Sequence, residues 1–327
     1  MGKRDISDDR NKLGYKFADL IGELQPRYFV MENVPGMAAG GHASILASLI
    51  ERFKKYGYKI AVELKSVRRD AILNSASFGV PQDRKRLILL GAREGLPLPS
   101  YPLPTVRSAP KRVGNAKIPD PLDMFLSPGP TVGQAILDLP DLDGFEELLI
   151  TDEVKLKERE YNRMIKAASS YVKLLRGIES DPEDFSHPRL WNPRVVTSSM
   201  RTIHTDESIR RFKLTKQGDT EAISRFYRLD ANGLCNTLRA GTGSERGAYT
   251  SPRPLHPILP RVLSVREAAR LHSFPDWFRL HRTKWSGFRS IGNAVPPLFG
   301  RAIGRAIIAA LQVTPIRPAD EIESSEE

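Results

Sequence analysis

Cysteine is nearly absent from this sequence of 327 residues, in which Cys235 is the single example. One cysteine excludes an internal disulfide and any zinc site built on cysteine ligands, and it leaves one candidate for a thiol nucleophile. Long apolar runs are missing too, since no segment approaches the ~18 consecutive apolar residues of a membrane helix. No basic start leads into the apolar segment of a signal peptide. These absences predict a soluble, cytoplasmic protein.

The charge balance is strongly basic, with 50 Lys and Arg against 39 Asp and Glu, a formal net charge of +11 and a pI near 9.7. This excess favours a polyanionic partner, with nucleic acid the first candidate. A basic protein with a solvated surface explains the same numbers, so charge alone decides nothing. The length suits one large or two ordinary domains.

The segment from Tyr28 to Gly36 predicts a strand that ends at a carboxylate. An apolar run of four residues, typical of a strand buried on both faces, is followed by Glu32, Asn33 and a Pro-Gly breaker. Open α/β sheets bind ligands at the carboxyl ends of their strands, so Glu32 is positioned to meet a ligand. A carboxylate that simply opens a loop is the alternative interpretation.

Helical spacing of apolar residues predicts helices over 13–24 and 45–53, the second ending at Gly57. Two further short strands are predicted over 59–64 and 87–91. The order of these elements predicts an α/β fold with part of a doubly wound, Rossmann-like sheet in residues 1–93.

Between these last strands, Gln82, Arg84 and Arg86 alternate along the chain. If the backbone is extended, their side chains share one face, and such a group of donors suits phosphate oxygens or a base carbonyl. The solvated start of a strand explains the pattern equally well.

Residues 94–260 differ in composition from the segments before them. Prolines interrupt the chain from 94 to about 130, and helices are predicted over 131–139 and 153–178. The basic region 187–216, with its hydroxyl side chains and Trp191, suits a surface that contacts a phosphate backbone. A flexible basic insertion without a specific partner stays open. No Cys or carboxylate lies at ligand spacing from His187 or His204, so we predict no metal site.

The carboxyl-terminal part returns to regular helices. Ser264 and Glu267 form a predicted capping box on a helix that Pro275 ends, and the pair Pro296-Pro297 starts a second helix that continues to about residue 310. The acidic residues 314–327 are predicted to form a disordered tail.

Four of these segments, in order, resemble the motifs of the DNA cytosine-5 methyltransferase family. They are Glu32-Asn33-Val34, Gln82-x-Arg84-x-Arg86, the Arg266-Glu267-Ala268-Ala269-Arg270-Leu271 helix with Phe274-Pro275, and Gly292-Asn293-Ala294-Val295-Pro296-Pro297. The opening Gly-Lys-Arg-Asp with Asp9-Arg10-Asn11 is similar to the segment after the catalytic loop of that family. The resemblance spans nearly the whole chain.

The resemblance implies that a cytosine is flipped out of double-stranded DNA, a cysteine adds to C6, and C5 receives a methyl group from S-adenosylmethionine. It assigns catalytic roles to Glu32, which holds the N3 and amino edge of the base, and to Arg84 and Arg86 near the base carbonyl and phosphates. The segment holding Asn293 and Ala294 would close over the cofactor.

The resemblance also implies DNA contacts from Asn33, Gln82, Thr237 and Arg239. Residues 94–260 would hold the variable region and a smaller target-recognition domain, inserted between residues 1–93 and 261–313 of the catalytic domain.

The sequence departs from the family pattern at its beginning. The family carries a glycine-rich F-x-G-x-G turn, an acidic ribose-binding residue and a Pro-Cys-Gln loop, and none of them occurs here. Cys235 lies in the wrong context, so we predict that it is a packed, inert residue and that the chain is inactive alone. The flank of the Glu32 strand is expected to be uncovered.

Three hypotheses explain this combination. The chain is the carboxyl-terminal part of a split or mis-started methyltransferase that needs a complementary amino-terminal piece, which is the hypothesis we favour. Otherwise it is a non-catalytic, sequence-specific DNA-binding module, or a degenerate remnant.

Overall fold

The computed structural model describes residues 9–111, 124–186, 190–240 and 253–316, with side chains from residue 12. The chain divides into two compact units. The first comprises Met1–Asn74, Lys85–Leu103 and Arg301–Pro315, and the second comprises Ser75–Arg84, Pro104–Gly300 and Ile316–Glu327. The predicted tail lies largely outside the described residues, as does His187.

A four-stranded sheet forms the centre of the first unit. Strand β5 (Lys85–Arg93) pairs with β1 (Tyr28–Asn33) on one side and with β2 (Tyr58–Ile60) and β3 (Ile72–Asn74) on the other. The pairing with β1 is antiparallel and runs from Tyr28 opposite Ala92 to Asn33 opposite Leu87. The pairings with β2 and β3 are antiparallel as well. Strands are present where they were predicted, but the one predicted over 59–64 covers only Tyr58–Ile60, and a 3-10 helix starts at Leu64. None of these pairings is the parallel one expected of a doubly wound sheet.

The prediction that the Tyr28 segment is buried on both faces is wrong. In β1 the side chains of Phe29 and Met31 are buried, whereas Val30 between them is 37% exposed. β5 is the strand whose consecutive residues are fully buried, because it has partners on both sides. Among the described residues β1 pairs only with β5, so within them it is an edge strand, and its face that carries Val30 is partly exposed.

Two helices pack against the buried face of the sheet. The predicted helices are confirmed as α1 (Asp9–Leu24) and α2 (His42–Lys55), with α3 (Val67–Asp70) following later. The ring of Phe29 stacks on Phe53 of α2 with centroids 4.4 Å apart. A Cβ at Gly91 would lie 2.1 Å from the Phe29 ring, so β5 needs glycine there. Gly57, with φ +82°, follows the end of α2 as predicted.

The second unit is built from short helices. They are α4 (Val132–Ile136), α5 (Glu158–Ala167), α6 (Ser170–Leu175), α7 (Asp206–Leu214), α8 (Val265–Leu271) and α9 (Lys284–Asn293). The predicted capping box of α8 is confirmed, since the N–H of Glu267 donates to Ser264 Oγ and that of Ser264 to the Glu267 carboxylate. The single helix predicted over 153–178 is wrong. It is broken at residues 168–169, where Ser169 caps α6 instead.

Short strand pairs complete this unit. β4 (Gln82–Asp83) runs parallel to β8 (Cys235–Asn236), and β6 (Val154–Lys155) runs antiparallel to β7 (Val195–Val196). The β4 pairing joins chain segments about 150 residues apart. It therefore fixes the segment after Cys235 against the residues that precede Arg84.

Helix α10 (Pro297–Leu311) starts at the proline pair, as predicted. By length and composition alone, the stretch Lys284–Leu311 is apolar enough to cross a membrane. It is interrupted at residues 294–296, however, so α9 has 10 residues and α10 has 15. Each falls short of the ~20 residues that a membrane-spanning helix needs.

A buried ionic cluster lies within the second unit. The Arg270 guanidinium contacts the Asp138 carboxylate at 2.5 Å and that of Asp276 at 2.8 Å, and Arg176 reaches Asp276 at 2.5 Å. Burial works against the charge of Arg270, but Asp276 and Asp138 raise its pKa above the ordinary value. Burial likewise opposes the charge of Asp276, yet the arginines, with Arg270 first, lower its pKa. The charges therefore depend on one another.

Replacing Arg270 by alanine is expected to lower the free energy of unfolding by about 3–5 kcal/mol, because two carboxylates would remain buried without their main partner. Urea unfolding of the purified chain measures this loss. The matched control is Arg279→Ala, which removes a solvent-exposed ion pair with Glu153 and is expected to cost under about 1 kcal/mol. Similar losses for both variants would contradict the prediction.

Candidate functional site

Glu32 and Arg86 form an ion pair in the first unit. Glu32 is the next-to-last residue of β1 and stands opposite Ile88 of β5, two residues from Arg86. Arg86 Nε lies 2.6 Å from Glu32 Oε1. The Arg86 side chain is 12% exposed and that of Glu32 is 32% exposed. The Glu32 carboxylate is thus partly exposed to solvent near the end of β1, and the more buried Arg86 fixes its orientation.

Burial and the ion pair act in opposite directions on the charge of Arg86. Burial lowers the pKa of Arg86 from its ordinary value, and the charge of Glu32 and its hydrogen bond oppose that effect. Asn33, the next residue, accepts the N–H of Val34 on its own side-chain oxygen at 2.8 Å. This local bond starts the turn into Pro35 and fixes the direction in which the chain leaves the site.

Arg84 lies in the second unit and is only 2% exposed. Its guanidinium donates to the carbonyl of Leu238 at 2.8 Å. It also donates to the carbonyls of Gly292 at 2.8 Å and Ala294 at 3.0 Å. One side chain therefore joins two separate segments of this unit by charge-assisted hydrogen bonds.

Gln82 makes a second connection of the same kind. Its side-chain oxygen accepts the N–H of Leu238 at 3.1 Å. Its side-chain nitrogen contacts the Leu271 carbonyl at 3.2 Å and His272 Nδ1 at 3.0 Å. The sequence predicted one shared face for Gln82, Arg84 and Arg86, but the first two bond within the second unit and Arg86 bonds to Glu32 within the first.

The residues predicted to bind DNA beyond Cys235 are held by this network. The Thr237 hydroxyl donates to the Asp83 carbonyl at 2.6 Å. Leu238 is bonded through both its N–H and its carbonyl, to Gln82 and Arg84. Arg239, the next residue, is exposed. A fixed backbone thus leads directly to an exposed cation, an arrangement that suits a phosphate contact.

The segment predicted to contact the cofactor lies directly beside Arg239. A Cβ at Gly292 would lie 2.1 Å from the backbone nitrogen of Ala240 and 2.2 Å from the carbonyl carbon of Arg239. Glycine is therefore required at position 292 for the two backbones to approach. Asn293 is exposed at the end of α9, between two residues whose carbonyls Arg84 holds.

Cys235 is fully buried in β8, and its Sγ–H donates to the Asn236 carbonyl at 3.1 Å. Burial raises the pKa of this thiol far above the ordinary value. A thiol held in the neutral form inside the protein is a poor nucleophile. These observations agree with the expectation that Cys235 is a packed residue.

His272 is a member of the network that the sequence reasoning did not single out. It is fully buried and lies between Gln82 and the Ala294 carbonyl, which its Nε2 contacts at 3.0 Å. Its only signal in the sequence is its position between Leu271 and Phe274 of a recognised motif, which predicts no role. No group of three His, Cys, Asp or Glu side chains within the described ranges is arranged to hold a metal ion.

The fold places the chain in the class of DNA methyltransferases. A solved DNA modification methyltransferase encoded within an E. coli prophage matches with a TM-score of 0.64 and 27% sequence identity, covering 94% of this chain and 76% of that one. The sequence then gives the family. The profile of the C-5 cytosine-specific DNA methylases matches residues 1–309, and the chain belongs to that family. The resemblance drawn from the motifs is confirmed.

Two relatives show how the chain compares with longer members. The Type II methyltransferase M.XorII of Xanthomonas oryzae is 48% identical over 320 residues, which are 98% of this chain and 67% of that protein. The Type II methyltransferase M.AgeI of Thalassovita gelatinovora is 28% identical over 95% of this chain and 80% of its own length. Methylation in restriction-modification is the setting that these names indicate.

Native Cys235 is expected to react with iodoacetamide at least roughly a hundredfold more slowly than the same thiol in urea, because only the thiolate attacks and each unit of raised pKa removes about nine-tenths of it. Mass spectrometry of the alkylated chain over time measures both rates. If the folded chain were completely labelled within the labelling half-time of the chain in urea, the thiol would be accessible. That result would contradict its buried position.

Proposed function

We propose that this chain carries the base-recognition half of a DNA cytosine-5 methyltransferase, which replaces the C5 proton of a flipped cytosine by the methyl group of S-adenosylmethionine in a specific duplex sequence. The observation that carries the proposal is the Glu32–Arg86 ion pair at the exposed end of β1. Family membership and the names of the relatives support it.

Glu32 is the proposed acid. A flipped cytosine presents its N3 and exocyclic amino group to a carboxyl group, and attack of a thiolate at C6 builds negative charge that protonation at N3 relieves. Arg86 holds one carboxylate oxygen at 2.6 Å and so fixes the orientation of Glu32. A bound base would cover the carboxylate, which is partly exposed in the free chain.

Arg84 is better suited to positioning than to contact with the base. Its donors meet three main-chain carbonyls, and its side chain is almost completely buried. We therefore propose that Arg86 carries the catalytic contact while Arg84 and Gln82 hold the surrounding segments. Arg239 is the strongest candidate for a DNA phosphate contact. Thr237 fixes the backbone just before Arg239 through its bond to Asp83, and Asn33 fixes the backbone just after Glu32 through its bond to Val34.

Asn293 and Ala294 would hold S-adenosylmethionine, which supplies the methyl group. The chemistry of the segment fits such a ligand, because an exposed amide with both donors and an acceptor stands on a backbone that Arg84 fixes. No metal is needed for this transfer. The proposed setting is the cytoplasm of a prokaryotic cell, in contact with double-stranded DNA.

The catalytic thiol is proposed to come from polypeptide outside these 327 residues. Cys235 is buried and neutral, and M.XorII has about a third of its length beyond the matched region. The complementary piece would supply the thiolate and the remainder of the cofactor site. A second candidate function is a non-catalytic, sequence-specific DNA-binding module, which the burial of the only cysteine also favours.

The purified chain alone is expected to transfer no methyl group to DNA and to bind S-adenosylmethionine weakly or not at all, because it lacks a reactive thiol. Transfer of tritiated methyl to duplex DNA and calorimetric titration with the cofactor measure the two properties. The same chain co-expressed with the unmatched part of M.XorII is the positive control, which is expected to methylate DNA. Methylation by the chain alone would refute the external thiol, and sequence-specific duplex binding without methylation in either arm would favour the binding module.

In the reconstituted enzyme, Glu32→Ala is expected to reduce kcat on the order of 100-fold or more, the usual size of a general acid contribution, while the Kd for duplex DNA stays nearly unchanged. Methyl transfer and fluorescence anisotropy measure the two effects. Glu63→Ala is the matched control, because Glu63 is an exposed carboxylate of the same unit, paired with Lys65. An equal loss of methylation and duplex binding would make Glu32 a structural residue.

A further inference from the structure

We propose that His272 is a positioning residue, which in its neutral form with the proton on Nε2 holds the Ala294 carbonyl and thereby presents Asn293 to a ligand. The inference rests on the proposed cofactor role of Asn293 for its functional meaning. Its structural content depends only on hydrogen bonds within the second unit.

The orientation of the Gln82 amide is the first step. The backbone N–H of Leu238 can only donate, and it lies 3.1 Å from the atom assigned as Gln82 Oε1. The Leu271 carbonyl can only accept, and it lies 3.2 Å from Gln82 Nε2. Both neighbours therefore require the same assignment, with the oxygen toward Leu238 and the amino group toward Leu271.

The tautomer of His272 follows from that orientation. The Gln82 amino group donates to His272 Nδ1 over 3.0 Å, so Nδ1 is the acceptor and carries no proton. The proton of a neutral imidazole then lies on Nε2, where it donates to the Ala294 carbonyl at 3.0 Å. Donor and acceptor roles thus alternate along one chain of bonds from Leu238 through Gln82 and His272 to Ala294.

This chain of bonds acts beside Arg84 on the same carbonyl. Arg84 contacts the Ala294 carbonyl at 3.0 Å, and His272 contacts it at an equal distance. The carbonyl oxygen therefore uses both of its lone pairs on buried donors. With the Gly292 carbonyl also held by Arg84, the backbone on both sides of Asn293 is fixed while the Asn293 side chain stays exposed.

Substitutions separate the hydrogen bonds from the packing of the ring. His272 stacks on Phe274 with centroids 5.8 Å apart and planes inclined by 13°. Phenylalanine at position 272 keeps an aromatic ring there but loses both polar contacts. Glutamine can accept from Gln82 and donate to the Ala294 carbonyl. The pair His272→Phe and His272→Gln thus tests polarity at similar burial.

Hydrogen exchange measured by mass spectrometry on the full chain reads out the local effect. In His272→Phe, amides of residues 291–295 are expected to exchange roughly tenfold faster, because a buried carbonyl loses one of two donors. In His272→Gln they are expected to stay close to wild type. Unchanged exchange in the Phe variant would overturn the proposal, as would equal acceleration in both variants.

The control is His256→Phe, since His256 is a buried histidine of the same unit whose Nδ1 accepts backbone N–H groups of Ile258 and Leu259. His256→Phe is expected to lower stability without accelerating exchange at residues 291–295. A similar acceleration there would mean that any lost histidine loosens the segment and would overturn the specific role of His272.

Nitrogen NMR of the wild-type chain labelled at histidine keeps the proposal testable if His272→Phe does not fold. The expected spectrum has His272 neutral with the proton on Nε2, and a proton on Nδ1 would overturn the proposal. In the reconstituted enzyme, His272→Phe is expected to raise KM for S-adenosylmethionine about tenfold with a smaller effect on kcat. Faster exchange with an unchanged KM would support the positioning and overturn the cofactor role of Asn293.

Discussion

The hydrogen bonds of the Arg84 guanidinium group are the interaction on which the two segments around Leu238 and Asn293 of the second unit depend. The Arg84 side chain is nearly inaccessible to solvent, and it meets the carbonyls of Leu238, Gly292 and Ala294. An arginine buried in this way is stable only when polar groups surround it, so the loops that supply those carbonyls are constrained to meet. The close backbone approach at Gly292 is the steric counterpart of the same constraint.

Buried charge has a related role in the helices that carry these loops. Arg270 of α8 joins Asp138, just after α4, to Asp276, just after α8. Arg261 makes a bidentate pair with Glu267. Burial opposes the charge of the Glu267 carboxyl, but this pairing lowers its pKa to about 2. Such pairs contribute little net stability compared with apolar packing, but they define which segments lie together.

Much of the secondary structure could be predicted from local pattern. The α2 helix with its Gly57 end, the capping box on α8 and the start of α10 at the proline pair each follow from neighbouring residues. Two predictions failed. The Tyr28 segment was expected to be buried on both faces, yet Val30 is 37% exposed. The helix predicted over 153–178 breaks before Ser169, whose hydroxyl accepts the N–H of Val172 and donates to the carbonyl of the distant Gln134.

The sequence by itself determined the family, through ordered motifs, because residue type and spacing are local properties. The same motifs made Glu32, Arg84 and Arg86 candidate site residues. The sequence could not tell the three alternating side chains of Gln82, Arg84 and Arg86 apart. Only the tertiary structure separated them, giving Gln82 and Arg84 main-chain partners more than 150 residues away and giving Arg86 the carboxylate of Glu32. The physical reason is that a buried donor takes the acceptor that folding brings to it, wherever that acceptor lies in the chain.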